Sequence, residues 1–205
     1  MTRVITGMVL GLMSLSFDGC GSIFPKPIPS RLFALSSLPS TGADTDHSGQ
    51  ISIGVGPIRL PGYLDRQEIM TRVAPNRFDV LEYDRWTEPL DENFTRVLTQ
   101  NLSVLLRTDQ IVAYPWPLDK RPHYRVEIQV LRFEANSERE AELSARWALI
   151  DVSSKGESRF KESRLIRSAK ENSVDASVAA LSETVADLSR EIVKTVIAVD
   201  RQREK

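Results

Sequence analysis

Apolar residues recur along the chain with two different periods, and these periods predict an alternation of strands and helices. Alternation at every second residue places apolar side chains on one face of a strand, whereas spacing by three and four residues places them on one face of a helix. The first pattern predicts strands at residues 31–35, 51–55, 68–73, 78–83, 111–114, 124–130, 141–152 and 159–167. The second pattern predicts helices over residues 89–107 and 174–199.

Turn residues between these strands predict how they connect. Ala74-Pro75-Asn76-Arg77 separates two strands as a hairpin would, and the last three strands follow one another as a meander. Gly56-Pro57 and Pro61-Gly62 predict turns, because proline and glycine interrupt regular structure.

Both helices carry signals that mark their ends. Pro89 suits a first helical position because its missing N–H would have no partner there, and Asp91 and Glu92 favour the positive end of the helix dipole. Asn172 or Ser173 is expected to cap the second helix. The near-heptad stripe of that helix allows a coiled coil, but packing on a sheet is the favoured interpretation. The expected fold class is therefore α+β: one domain with a mainly antiparallel sheet packed against two amphipathic helices.

The first twenty residues predict export and lipidation. An apolar run of roughly 14 residues follows a short positive region, and it is shorter than the about 20 residues that a spanning helix needs. Gly19 precedes Cys20, the one cysteine of the chain, so we expect cleavage between them and attachment of acyl chains, palmitate among them, to Cys20. The predicted division is a signal peptide at 1–19, a lipidated proline-rich tether at 20–30, the α+β domain at 31–200 and a charged tail at 201–205.

Two residues depart from the usual pattern before such a cysteine. Phe17 and Asp18 stand where small aliphatic and small neutral residues are expected, so an ordinary cleaved signal and a retained N-terminal anchor stay as alternatives. Gly21 is not the aspartate that commonly retains lipoproteins in the inner membrane, which favours the periplasmic face of the outer membrane. Two or more acyl chains would hold the protein stably on a bilayer.

Composition and charge exclude several classes of function. With 41% hydrophobic residues, 27% charged residues and a net charge of −1, the chain is neither a disordered tail nor a polytopic membrane protein, and it has no basic patch to predict nucleic-acid binding. A single cysteine excludes an intramolecular disulfide and a cysteine-rich metal site. His47 and His123 lie in no catalytic, metal-binding or phosphate-binding motif. We expect a protein that is not an enzyme, with no catalytic residue, metal or cofactor.

A denser signal lies between Gly56 and Pro89, where aromatic, aliphatic and guanidinium groups gather near turns. Such mixtures are typical of protein interfaces, in which aromatic and arginine side chains contribute most of the binding energy. The equally weighted alternative is that an Arg–Asp ion pair and a core-facing tyrosine only stabilise the turn. The predicted partner interface consists of Leu60, Pro61, Tyr63, Leu64, Asp65, Arg66, Arg85 and Trp86.

These motifs resemble a known family. Residues 56–66, Gly-Pro-Ile-Arg-Leu-Pro-Gly-Tyr-Leu-Asp-Arg, and the later Arg85-Trp86 followed by Glu88-Pro89-Leu90 are similar to the ABC-type transport auxiliary lipoproteins of the PqiC and YmbA type. The resemblance implies an α+β envelope component encoded with inner-membrane proteins that carry MCE (mammalian cell entry) domains and conduct lipid across the periplasm. It also implies that the lipoprotein docks or receives the far end of that conduit, and that self-association into a ring occurs.

Three functional hypotheses follow from these observations. The leading one is an outer-membrane lipoprotein that docks an MCE-type lipid conduit through the predicted interface. The alternative is a stand-alone lipid-binding or structural envelope lipoprotein with a pocket between helix and sheet. The third is a hydrolase whose catalytic groups come together only in the folded chain.

Overall fold

The fold consists of one sheet with two helices on it. The computed structural model describes residues 29–40, 51–116, 121–152 and 157–203, and within these ranges it contains eight strands and two α-helices. The strands are β1 (Arg31–Phe33), β2 (Ile53–Arg59), β3 (Glu68–Ala74), β4 (Arg77–Trp86), β5 (Ile111–Ala113), β6 (Tyr124–Asn136), β7 (Glu140–Asp151) and β8 (Glu157–Ser168). The helices are α1 (Leu90–Leu106) and α2 (Val174–Arg203), and a short 3₁₀ helix spans Gly62–Leu64.

Strand β6 organises the sheet. One edge of β6 pairs antiparallel with β7, which in turn pairs antiparallel with β8. The other edge pairs parallel with β2 along its first half and with β3 at its end. Beyond β6 the sheet therefore divides into two branches, β2–β5 and β3–β4–β1. The longest pairings are the antiparallel ones, which confirms the predicted α+β fold with a mainly antiparallel sheet.

Both helices pack on the same face of this sheet. Helix α2 contacts β6, β7 and β8, and α1 lies beside it over β2 and β5. Along β7, and along β6 as far as Val130, every second residue points into the layer between sheet and helices, as Tyr124, Val126 and Trp147 do. The apolar stripe of α2 is buried in that layer, so it packs on the sheet and does not form a coiled coil.

The predicted turn at Gly56-Pro57 is wrong, because both residues lie within β2. This strand begins two residues later than predicted and continues to Arg59. Its register with β6 shifts between Val55 and Ile58, which is a β-bulge. The bulge accommodates Pro57, since proline has no N–H to donate to a regular ladder.

The other predicted elements are present with changed ends. Strand β1 stops at Phe33, while β6 continues six residues beyond its predicted end to Asn136. Pro89 occupies the cap position of α1 with an extended ψ of 133°, and not the first helical position that the sequence predicted. Helix α2 runs past its predicted end and through the first three residues of the predicted charged tail.

Candidate interaction site

The predicted interface begins where β2 leaves the sheet. After Arg59 the chain turns through the 3₁₀ helix, in which the N–H of Leu64 donates to the Pro61 carbonyl at 2.9 Å. Leu64 points inward and is buried. This inward anchor leaves Asp65 and Arg66 exposed at the top of the turn.

A buried carboxylate fastens this turn to the sheet. Glu134 lies near the end of β6, and its side chain is 2% exposed. It accepts hydrogen bonds from the Tyr63 hydroxyl at 2.5 Å and from Arg72 Nε at 2.6 Å. The backbone N–H of Phe133 also donates to it, at 3.1 Å. Because these donors satisfy both carboxylate oxygens, the buried charge is compensated.

Tyr63 therefore holds the turn in place. Its ring packs against Phe78 with 5.1 Å between centroids, and Arg72 lies over the other ring of this pair, 4.2 Å from the Phe78 centroid. Burial, followed by the hydrogen bond to Glu134, raises the pKa of the Tyr63 hydroxyl far above its ordinary range. The hydroxyl thus stays protonated and donates to Glu134. This contact supports the turn-stabilising interpretation of Tyr63.

The second motif, residues 85–90, begins at the end of β4 and lies beside this turn. The N–H of Trp86 donates to the Gln67 carbonyl at 2.8 Å, which brings the end of β4 beside the turn. Trp86 is buried at 7% exposure. Arg85 points elsewhere, because its guanidinium lies 3.6 Å from the Glu68 carboxylate across the hairpin.

Polar contacts also fix the start of α1 beside this motif. One Glu88 oxygen accepts from Asn93 Nδ2 at 2.7 Å and from Arg96 Nη2 at 2.6 Å. The amide oxygen of Asn93, which is fully buried, accepts from the backbone N–H of Leu35 at 3.0 Å. The segment after β1, the second motif and the first turn of α1 are thereby joined.

These elements enclose an open groove of about 610 Å³. Its walls are the turn after β2 on one side, and the end of β4 with the start of α1 on the other. The apolar side chains in its lining are Ile58, Leu60, Pro61, Leu64, Trp86, Pro89 and Leu90. The charged side chains in its lining are Arg59, Asp65, Arg66, Glu88 and Asp91. We call this surface the motif groove.

The motif groove extends along α1. A second hollow of about 580 Å³ shares Ile58 and Asp91 with it and continues between β2 and α1 as far as Tyr114. Tyr114 is 53% exposed. Beyond Val55, β2 no longer pairs with β5, so its edge is open toward this hollow in the described part of the chain.

The structure divides the predicted interface residues into two groups. Six of them line the motif groove: Leu60, Pro61, Leu64, Asp65, Arg66 and Trp86. Tyr63 and Arg85 are outside that lining and contact Glu134 and Glu68 instead. Sequence reasoning missed Glu134, and the signal for it was a lone glutamate between Phe133 and Ala135 at the end of the most regular strand. Gly19 and Cys20 lie outside the described residues.

Two other kinds of feature, a metal site and a membrane-spanning helix, are absent from the described residues. The described residues contain no group of three or more histidine, cysteine or acidic side chains placed to hold a metal ion. None of the helices in the described ranges combines the length and apolar composition needed to span a bilayer.

Comparison with known proteins gives a family match over most of the chain. The family described as "ABC-type transport auxiliary lipoprotein component" matches residues 33–193. Among curated protein sequences there is no significant match.

Solved structures share the fold. A crystal structure of an uncharacterized protein is 18% identical, with a TM-score of 0.68, covering 82% of this chain and 99% of that one. A Xanthomonas campestris protein of the DUF330 family is 17% identical, with a TM-score of 0.65, covering 85% of this chain and 100% of that one.

Proposed function

Since this chain belongs to the ABC-type transport auxiliary lipoprotein component family, we propose that it docks an MCE-type lipid conduit at the outer membrane, through the motif groove. The observation that carries this proposal is that two separate sequence motifs, residues 56–66 and 85–90, form the walls of one groove. Apolar side chains line its floor, and Asp65 and Arg66 stand exposed at its rim. A buried apolar centre with a charged rim is the usual anatomy of a protein-binding surface.

The packing of the core favours docking over the alternative of lipid bound between helix and sheet. Large side chains that are fully buried fill that layer. Phe94 of α1 meets Phe133 of β6 edge to face, with 5.3 Å between ring centroids. Tyr124 fills the layer near the end of α2 and donates to Asp200 at 2.8 Å. Partner binding in the open groove is therefore the function that the geometry supports best.

The test is binding of the purified lipoprotein to the periplasmic part of an MCE-domain protein from the same organism. Arg66→Glu reverses an exposed charge at the rim, and we expect it to weaken binding by about 1–2 kcal/mol, with circular dichroism and melting temperature unchanged. Leu60→Ala, which removes a half-buried side chain from the lining, should weaken binding by a similar amount. Trp86 is unsuitable for this purpose, because truncating so buried a side chain costs about 3–5 kcal/mol of folding stability.

The control is Lys170→Glu, which makes the same charge change at an exposed position outside the groove lining. It should bind as the unmodified protein does. If Arg66→Glu and Leu60→Ala both remain folded and bind like Lys170→Glu, the motif groove is not the docking surface.

A further inference from the structure

The two helices lie side by side, and a segment of the chain runs between them over part of their length. This segment, residues 34–40, follows β1 and donates backbone hydrogen bonds to both helices in turn. The bonds run from Leu35 to Asn93 Oδ1 at 3.0 Å, from Ser36 to Ser182 Oγ at 3.0 Å and from Leu38 to Asn101 Oδ1 at 2.7 Å. The last acceptor, Asn101, lies one turn before Leu105, so the final turns of both helices extend beyond these bonds.

An open hollow of about 480 Å³ lies between those final turns. Its apolar lining consists of Leu105 from α1 and Val193, Ile197 and Ala198 from α2. The charged side chains in its lining, among the described residues, are all basic: Arg190, Lys194 and Arg201. We call this surface the helix groove. It shares no lining residue with the motif groove, so the two surfaces are separate.

Two of these cations are available to a partner. Lys194 and Arg201 are exposed, and the side chain of neither makes an ion pair or hydrogen bond with another described residue. Arg190 donates to Asp187 at 2.7 Å, so its charge is partly balanced. The chain as a whole carries a net charge of −1, so this excess of positive charge is local to the helix groove.

The acidic residues in the same turns of α2 point toward the sheet and away from the groove. Glu191 accepts a hydrogen bond from the Ser163 hydroxyl of β8. Asp200 accepts from the Tyr124 hydroxyl of β6 at 2.8 Å. The rim of the helix groove is therefore positive, and its charge complements an acidic occupant.

We propose that the helix groove binds an acidic amphipathic helix of a partner protein. Most of the lining belongs to α2, whose backbone N–H and C=O groups bond within the helix. The groove therefore gives an occupant few backbone partners, and a helix needs none because it satisfies its own. The apolar stripe of such a helix covers Val193 and Ile197. Its acidic side chains, placed two turns apart, face Lys194 and Arg201, which are about 10 Å apart along α2.

A bilayer surface fits the helix groove less well than a helix does. The apolar floor is recessed, since Val193 is only 9% exposed while the cations beside it are exposed. A protruding side chain can fill such a recess, whereas membrane-surface helices present raised apolar side chains to the lipid. The predicted tether also joins the domain at the other end of α2, where Arg31 Nη1 lies 3.7 Å from Asp175. Lys194 is roughly 30 Å further along the helix.

Photo-cross-linking of the full lipoprotein in its own cells tests which occupant binds. With p-benzoylphenylalanine in place of Ala198, ultraviolet irradiation should join the groove to another protein. Mass spectrometry of the adduct should identify a segment in which acidic residues flank an apolar helical stripe. Adducts with lipid alone, adducts with a second copy of this chain alone, or no more adduct than the same probe gives at the exposed Asn172 would overturn the proposal.

Charge reversal then tests the role of the cations. The cross-linked segment is synthesised as a peptide, and its binding to the purified lipoprotein is measured by fluorescence anisotropy. Lys194→Glu and Arg201→Glu should each raise the dissociation constant about three- to tenfold, and added salt should weaken binding to the unmodified protein. Ile197→Ala, which truncates the apolar floor, should weaken binding at every salt concentration.

The matched control is Lys170→Glu, the same charge change at an exposed position outside the groove lining. It should bind the peptide as the unmodified protein does. Circular dichroism checks that each variant is folded, which we expect because Lys194 and Arg201 are exposed. If both charge variants are folded and bind like Lys170→Glu, the helix groove does not recognise an acidic helix.

Discussion

At the scale of single residues, the informative position is Glu134. It is one of the few buried charged side chains among the described residues, and it compensates Arg72 while accepting from the Tyr63 hydroxyl. The sequence allows Tyr63 equally as a partner contact and as a turn anchor. The hydrogen bond from Tyr63 to Glu134 supports the anchor interpretation. The sequence could not show this contact, because the two residues are 71 positions apart in the chain and meet only in the folded sheet.

Removing the Glu134 carboxylate should destabilise the fold strongly. Glu134→Ala removes the acceptor of the Tyr63 hydroxyl and of Arg72 Nε, and a broken buried ion pair costs about 3–5 kcal/mol. Glu127→Ala on the same strand is the matched control, because Glu127 is exposed, and it should change stability by less than about 0.5 kcal/mol. Urea unfolding of both variants measures the difference, and equal midpoints would refute the role of Glu134.

At the scale of elements, the cap of α2 separates two candidates that the sequence left open. The N–H of Ala176 donates to Ser173 Oγ at 3.1 Å, so Ser173 caps the helix and Asn172 does not. The Ser173 carbonyl also accepts from the N–H of Ser177 at 3.0 Å. The exposed Asn172 precedes the cap by one residue, so its side chain is displaced from the free N–H groups of the first turn.

Ser173→Ala should lower the free energy of unfolding by about 1 kcal/mol, the usual cost of removing a side-chain cap. Asn172→Ala should leave it unchanged to within about 0.5 kcal/mol. Chemical denaturation of both variants measures the two free energies of unfolding. If the asparagine variant were the less stable of the two, the assigned cap would be incorrect.

At the scale of the whole molecule, the folded domain and the membrane anchor rest on different parts of the chain. The described residues form a sheet with one helix-covered face, and membership of a lipoprotein family agrees with anchoring in the envelope. Cys20 is the predicted attachment point, and Phe17 and Asp18 are the unusual residues before the cut. The outer membrane and the MCE partner are proposals, and self-association into a ring stays a prediction.

Mass spectrometry of the mature N-terminus tests the anchor. After expression in a diderm host, the protein should begin at Cys20 and carry a diacylglycerol and an N-acyl chain, with Cys20→Ser abolishing the modification. Two or more acyl chains make membrane association stable. The protein with Cys20 should therefore fractionate with membranes, and the Cys20→Ser variant should lose that lipid-dependent association. A mature protein that begins at another residue, or an unmodified Cys20, would exclude lipidation at this site.

The sequence by itself determined the elements, because the periods of two and of three to four residues are local properties of the chain. The meander of β6, β7 and β8, the hairpin of β3 and β4, and both helices follow from such patterns. Only the tertiary structure decided that β6 pairs with both β2 and β3, and that β2 passes through Gly56-Pro57 as a bulge. These features depend on contacts between distant residues, for which a single sequence carries no periodic signal.

The same division holds for the candidate site. Local composition was enough to single out residues 56–66 and 85–90. Only the tertiary structure shows that the two segments converge on one groove. It also shows that Tyr63 and Arg85 lie outside the lining of that groove, because they contact Glu134 and Glu68. Residue type can show that a side chain is able to bind a partner, but burial and the nearest hydrogen-bond acceptor decide whether it is free to do so.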